Sequence, residues 1–403
     1  MRFLYNTVLI LFTLVSLPKF LWEMVRHRKH RRSFFEKLGF KLPNFQLPPE
    51  RLHIWIHSVS VGETKAVAPL VGLLRQRHPQ ACFVISTTTE TGLSEAQRSM
   101  PGLDHYFYLP VDFSWTIRRL VGRLNPHLLI LVESDFWLNL VSEVEHVVVV
   151  NGKISETSLT RFLLFPFFTK RLFGAVDHFC VQSSRFAKRF EALGVDPAKI
   201  TVTGNLKFDQ PLSSIDKAQW RKEFGIHAED RVIVIGSTHE TEEESLIDAL
   251  APLLASFPTL KIMIAPRHPE RFSQVAALLE KKKIANVILI DKMGVLSGCY
   301  QLAEIAVVGG SFISSVGGHN IFEPAALGVP VLFGPHMESQ KDLVDLIVHS
   351  GAGKQVSLEA IAATVDSMLR HPPEEMRQAG LQLAKEVHGA VNRSYGALLS
   401  FIS

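Results

Sequence analysis

The sequence is poor in the residues that mark several common kinds of protein. It carries three cysteines, Cys82, Cys180 and Cys299, and no CxxC pair. That spacing excludes a disulfide framework and a cysteine-based zinc site, and predicts reduced thiols in a core. No GxxxxGK[ST] run is present, so a P-loop NTPase is excluded. No HExxH occurs, and the histidines show no metal-ligand spacing. No Asp-x-Asp pair follows a strand-like run, which argues against a metal-dependent sugar transferase. Short repeats and low-complexity tracts are also missing. The net charge of +4 is too mild to point to a nucleic-acid partner. With 47% hydrophobic residues, the chain has globular composition, and its length suggests two domains.

Long apolar runs are absent except at the N-terminus. "FLYNTVLILFTLVSLPKFLWEMV" (Phe3–Val25) precedes "RHRKHRR" (Arg26–Arg32). A cleavable signal peptide carries its charge before the apolar segment, whereas here the charge follows it. The order predicts an anchor with its downstream side in the cytoplasm. Asn6, Pro18, Lys19 and Glu23 interrupt the run. It is short for a span, so a helix lying in the interface is the alternative to a crossing one.

After the anchor, strand-like and helix-like patterns alternate, which predicts parallel sheets covered by helices. Strands are expected at His53–His57, Cys82–Thr88, His105–Leu109, Leu128–Glu133, His146–Asn151 and His178–Gln182. Lys65–Arg77 and Ser114–Leu124 read as helices between them. A second series reads Arg231–Gly236, Lys261–Ala265, Asn286–Ile290, Glu304–Gly309 and Pro330–Phe333. The polar stretch around Asn205–Ser214 reads as the boundary. The resulting organisation is an anchor with basic flank (1–32), a first α/β domain (33–210), a second (211–385) and a C-terminal helix (386–403). Two doubly wound domains in tandem would face a cleft.

Ligands in such sheets bind beyond the carboxyl ends of the strands, and the chemistry-bearing residues cluster there. Glu63 follows the first strand in "HSVSVGETK", where Ser60 and Glu63 also fit a helix-capping box. Glu133 ends the fourth strand, Asn151 and Lys153 follow the fifth, and Lys207 lies in "GNLKFD". In the second series, Gly236, Ser237 and Thr238 are expected to open a helix whose amides attract anions. Arg267 suits a phosphate or carboxylate. Gly317 and Gly318 precede a helix expected to carry Asn320 and Glu323 on one face, where the carboxylate could hold ribose hydroxyls. His57, His239, His268 and His319 are candidates to bind or to cap, with His268 favoured because it follows Arg267.

The motifs "HSVSVGE", "VESDFW", "VTGNLKFD", "STHETEEE", "PRHPERF", "DKMG", "VVGGSF" and "GGHNIFEPA" together resemble the 3-deoxy-D-manno-octulosonic acid (Kdo) transferases of Gram-negative bacteria, in order and over essentially the whole chain. The resemblance implies the GT-B fold of two Rossmann-like domains. It implies inverting, metal-independent transfer of Kdo from CMP-Kdo to a lipid A precursor (lipid IV-A) on the inner face of the inner membrane, one or several units at a time. It implies no cofactor beyond the donor. It makes Glu63 the general base, and Glu133 and Lys207 transition-state stabilisers. It places CMP against Pro266, Arg267 and His268, then Met293, Gly294 and Val295, then Asn320, Ile321, Phe322 and Glu323. The family patterns "ETELWPN" and "NARLS" read "ESDFWLN" and "NGKIS" here. Lys153 therefore stands where arginine is common, keeping the charge without the bidentate fork, and its role stays open.

Inverting transfer needs one base at the acceptor oxygen and a stabilised leaving group. Arg267 and the helix start at Ser237–His239 are expected to stabilise departing CMP; the helix start should lower the Glu63 pKa, while a partly dry cleft would push it the other way. "TRFLLFPFFTKRLFG" (Thr160–Gly174) interleaves Phe165, Phe167 and Phe168 with Arg161, Lys170 and Arg171, which suits either an anionic membrane surface or a buried helical hairpin. The alternatives are another GT-B enzyme, such as a lipid-linked sugar transferase or a sugar-nucleotide epimerase, and a non-catalytic nucleotide-sugar-binding membrane protein.

Overall fold

Strands buried on both faces read as unbroken apolar runs, because neither face meets water. The chain builds two sheets of this kind. The structure is a computed structural model describing residues 2–26, 34–209 and 214–402. It divides into two compact units, residues 1–210 with 388–403, and residues 211–387.

In the first unit the strands are β1 (His53–His57), β2 (Cys82–Thr87), β3 (His105–Tyr108), β4 (Leu128–Val132), β5 (His146–Gly152), β6 (His178–Val181) and β7 (Ile200–Val202). They form one parallel sheet in the order β3-β2-β1-β4-β5-β6-β7. Side chains alternate between its faces. Ile54 and Ile56 of β1 pack with Leu70 and Leu74 of the helix Val61–Arg77. Trp55, between them, packs on the other face with Phe107, Leu129 and Leu131. All three β1 residues are fully buried, contributing about 2 kcal/mol or more each by area removed from water.

In the second unit β8 (Arg231–Thr238), β9 (Leu260–Pro266), β10 (Val287–Leu289), β11 (Ile305–Val308), β12 (Val331–Phe333) and β13 (Gly353–Gln355) form a parallel sheet in the order β10-β9-β8-β11-β12-β13. Ile233, Ile235, Ile262 and Ile264 face one layer, and Val232, Val234 and Met263 the other. In both sheets the order reverses beside the first strand. The switch points therefore lie between β1 and β4, and between β8 and β11.

The N-terminal helix Arg2–Arg26 contains Pro18. Among the described residues no helix is long and apolar enough to cross a membrane, so the spanning form of the expected anchor is not met. The helix joins the first unit through polar contacts. Arg2 pairs with Glu143 at 2.7 Å, the Tyr5 hydroxyl donates to Asp112 at 3.0 Å, and Asn6 donates to Ser114 Oγ at 2.8 Å. Phe3, Leu4, Val8, Leu11, Phe12, Leu14 and Val15 stay exposed. The basic run expected after it, apart from Arg26, lies outside the described residues, as do residues 210–213 of the expected boundary.

Thr160–Gly174 is a helical hairpin, Glu156–Leu163 and Pro166–Gly174. Leu172 and Phe173 are buried in the first unit's core, and Phe168 packs against that core and stacks on Tyr5. Leu164, Phe165 and Phe167 at its tip are exposed. All three cysteines are free and buried, as expected.

Candidate functional site

At the first switch point, β1 runs out at His57 and a helix begins four residues later. Ser60 caps it, its hydroxyl accepting the Glu63 amide at 3.3 Å. Glu63 reaches back: Oε2 accepts the Val59 amide at 2.7 Å, and Oε1 the Ser60 hydroxyl at 3.2 Å. The capping box is therefore real, and it is also what holds the carboxylate at the strand end. Of the two opposing effects expected on its pKa, burial prevails. Burial pushes the Glu63 carboxyl up from 4.5; the Val59 amide opposes this, and Glu133 and Asp135 add to it. Desolvation outweighs the helix terminus, and the outcome is a stronger base.

Glu133 follows β4 with φ +65°, a left-handed conformation that costs a non-glycine residue about 1 kcal/mol or more. Its side chain is buried between two cations. Oε2 lies 2.6 Å from Lys153 Nζ and Oε1 2.9 Å from Lys207 Nζ. Asn151, also left-handed at φ +55°, donates to Oε1 at 3.2 Å and accepts the Leu206 amide at 2.9 Å. Burial raises the Glu133 carboxyl, but Lys207 and Lys153 together outweigh it and hold it below 4.5. Lys153, whose role the sequence left open, is thus a full member of this cluster. A cavity of about 450 Å³ opens beside Val61, lined by Glu90, Thr91, Ser94, Glu95 and Arg98.

Beyond Glu133, Asp135 Oδ2 accepts from His57 Nε2 at 2.8 Å and from the Trp137 indole at 2.7 Å. His57 is fully buried. Its ring bonds Ser86 and Asp135 rather than a helix end.

The second switch point differs from expectation in two ways. Ser237 and Thr238 do not open a helix. They finish β8, Thr238 pairing with Pro266 across a register shift, and the next helix starts at Glu242. Its first amides, of Glu242 and Glu243, donate to the His239 carbonyl at 3.2 and 3.3 Å. The buried Glu242 carboxylate accepts the amides of Gly310 at 2.7 Å, Phe312 at 2.9 Å and His239 at 3.2 Å. It ties the loop after β8 to the loop after β11. Asn320 likewise precedes rather than joins its helix, Phe322–Ala326, and its side chain accepts the Phe322 amide at 3.0 Å. Asn320 and Glu323 therefore do not share a helical face.

The remaining candidates sit around these loops. Pro266 is buried at the end of β9, and the Arg267 amide donates to Thr238 at 2.9 Å while its side chain is exposed. His239 and His319 stack with centroids 5.0 Å apart and Nε2 atoms 2.7 Å apart, and His268 meets His239 edge-on at 5.3 Å. Burial, then His239 and Arg267, lower His319 to about 4, so one neutral ring donates to the other. Met293 and Gly294 are exposed and Val295 is half-buried in the turn before Leu296–Tyr300. Ile321 and Phe322 are buried, and Glu323 is half-buried. Among the described residues no group of three His, Cys, Asp or Glu side chains could hold a metal ion.

Comparison with known proteins identifies the family. Residues 29–210 match the family model of 3-deoxy-D-manno-octulosonic-acid transferase (kdotransferase). The Kdo transferase of Chlamydophila psittaci is 33% identical over 99% of this chain and 96% of its own. That of Haemophilus influenzae is 30% identical over 100% of this chain and 99% of its own. UDP-GlcNAc 2-epimerase from Neisseria meningitidis superposes with a TM-score of 0.65 at 15% identity, covering 87% of this chain and 100% of its own, which is a likeness of fold. The protein is a glycosyltransferase and belongs to the Kdo transferase family.

Proposed function

We propose that the protein transfers Kdo from CMP-Kdo to a lipid A precursor by inversion, without metal. The observation that carries this reading is Glu63, a carboxylate with a raised pKa, fixed at the first switch point beside the Glu133–Lys153–Lys207 cluster. In the step, Glu63 takes the proton of the acceptor hydroxyl. That oxygen bonds to the anomeric carbon as the bond from that carbon to the CMP phosphate oxygen breaks. The two lysines carry the positive charge that a donor carboxylate needs, and Glu133 keeps them in place.

The donor is assigned to Ser237, Thr238, Pro266, Arg267, His268, Met293, Gly294, Val295, Asn320, Ile321, Phe322 and Glu323. The Arg267 guanidinium, exposed at the end of β9, suits the phosphate. The helix start assigned to that task at Ser237–His239 is instead the end of β8 and the loop after it, so Arg267 takes the larger share. The exposed apolar side of Arg2–Arg26 and the hairpin tip suit an interfacial seat on the cytoplasmic side of the inner membrane, where the lipid acceptor lies.

The purified protein, given CMP-Kdo and a tetra-acylated lipid A precursor with EDTA, tests this by mass spectrometry. Addition of one or more Kdo masses supports the reading and counts the units. Intact CMP-Kdo with folded protein overturns it, and uridine sugars would then be tried.

A further inference from the structure

Ser86, His57 and Asp135 lie in a row with the spacing of a hydrolytic triad: Ser86 Oγ to His57 Nδ1 is 2.8 Å, and His57 Nε2 to Asp135 Oδ2 is 2.8 Å. Ser86 is no nucleophile, however. It is fully buried, and its oxygen accepts the Trp55 indole at 2.7 Å.

The row works in the other direction. An indole N–H only donates, so the Trp55 bond leaves the Ser86 hydroxyl proton free to go to His57 Nδ1. The shorter Nδ1 contact is to this hydroxyl, at 2.8 Å against 3.2 Å to the Ser86 carbonyl, and Nε2 donates to the Asp135 carboxylate, which can only accept. Trp137 adds a second donor to the same oxygen. Four side chains from β1, β2 and the loop after β4 thus fix one carboxylate by one oxygen. The other, Oδ1, has no partner among the described residues, and the side chain is 24% exposed. A carboxylate offers lone pairs on both oxygens, and an oxygen held this firmly is pre-organised to accept from a ligand. Asp135 also lies close enough to Glu63 to act on its charge.

We infer that Asp135 is a further acceptor-binding residue. Its Oδ1 accepts a hydrogen bond from a hydroxyl of the acceptor sugar, and His57, Ser86, Trp55 and Trp137 are positioning residues that aim it. This rests on the reading that the acceptor binds at Glu63.

The test uses the full chain with CMP-Kdo and the lipid A precursor. Asp135→Asn raises the acceptor KM about 10- to 100-fold, the loss expected for one hydrogen bond to a charged group, and leaves the donor KM unchanged. It also moves the acid limb of the rate to lower pH, because a negative charge near Glu63 is gone. Asp135→Glu restores most activity. His57→Gln gives part of the KM effect with the donor KM unchanged. An unchanged acceptor KM in Asp135→Asn overturns the inference. So does a loss of kcat alone with a lowered Tm, which would make Asp135 a structural group. Should Asp135→Asn fail to fold, Asp135→Glu against Asp135→Gln provides the same comparison at equal side-chain length. No transfer by the wild-type protein would instead count against the proposed function.

Discussion

Lys153 Nζ stands 2.6 Å from Glu133 Oε2, a shorter contact than the 2.9 Å from Lys207 Nζ to Oε1. The two lysines come from separate segments, after β5 and after β7, and meet on opposite oxygens of one buried carboxylate. Lys153→Met is therefore expected to lower kcat as much as Lys207→Met, each by about 10- to 1000-fold, if the pair stabilises charge at the reacting centre. Rate measurements at saturating donor and acceptor check this. Wild-type kcat in Lys153→Met would reduce that lysine to a surface partner.

Glu63→Gln keeps a capping group at the third helical position but cannot take a proton. Its transfer rate is expected to fall by about 10²- to 10⁴-fold while calorimetry shows unchanged CMP binding. In the wild-type protein the rate should fall with acid along a limb lying above 4.5, because burial raises the Glu63 carboxyl.

Glu133 predicts the opposite sign for stability. Its folded pKa is lowered by the two lysines, against its own burial. An unfolded glutamate thus binds a proton at higher pH than the folded one. The stabilisation is fully present above about pH 4.5 and is lost as pH falls through the lowered value. Glu133→Gln should cost about 1–3 kcal/mol at neutral pH, a buried ion pair discounted for lysines that are more than a third exposed. Denaturant melts should show the gap to wild type closing on acidification.

Gly309 has no room for a side chain. A Cβ there would stand 2.7 Å from Glu242 Oε2 and 2.9 Å from Thr238 Cα. Gly309→Ala should displace the carboxylate that organises both donor-side loops. We expect about 1–3 kcal/mol less stability and weaker CMP binding, both measurable by ligand-dependent thermal shift.

The exposed tip of the hairpin gives a fifth test. Replacing Leu164, Phe165 and Phe167 by serine in the full chain should weaken binding to anionic vesicles, while the buried Leu172 and Phe173 keep the fold. Phe168 is left alone because it stacks on Tyr5 and packs against the core. Unchanged flotation would remove the tip from the membrane surface.

Most strands were legible because both faces are buried and the apolar runs are continuous. β7 and β13 were not. Each has three residues and lies at a sheet edge, and Thr201, Lys354 and Gln355 break the apolar signal. The helix after β1 begins at Val61 rather than Lys65, since its first turn is polar and small. Ser237 and Thr238 misled because Ser and Thr after an apolar run resemble a cap, whereas the strand here continues through a register shift. Glu63, Glu133 and Lys207 were visible as charged residues at strand ends. The His57–Asp135 bond was not, because it joins positions 78 residues apart and only the adjacency of β1 and β4 brings them together.

The last residues of the chain rejoin the first unit. Ala390, Val391, Leu398 and Ile402 are buried in the core that lies under β1, and Asp209 accepts the amides of Gly389 and Val391 at 2.7 and 2.6 Å. A ribosome makes residues 1–210 early, yet the core they form lacks one wall until the final helix emerges. The N-terminal half must wait, with part of its apolar surface uncovered, for the whole second unit to be synthesised. Stop codons that remove only the last fifteen or so residues would therefore strike the half of the enzyme made first.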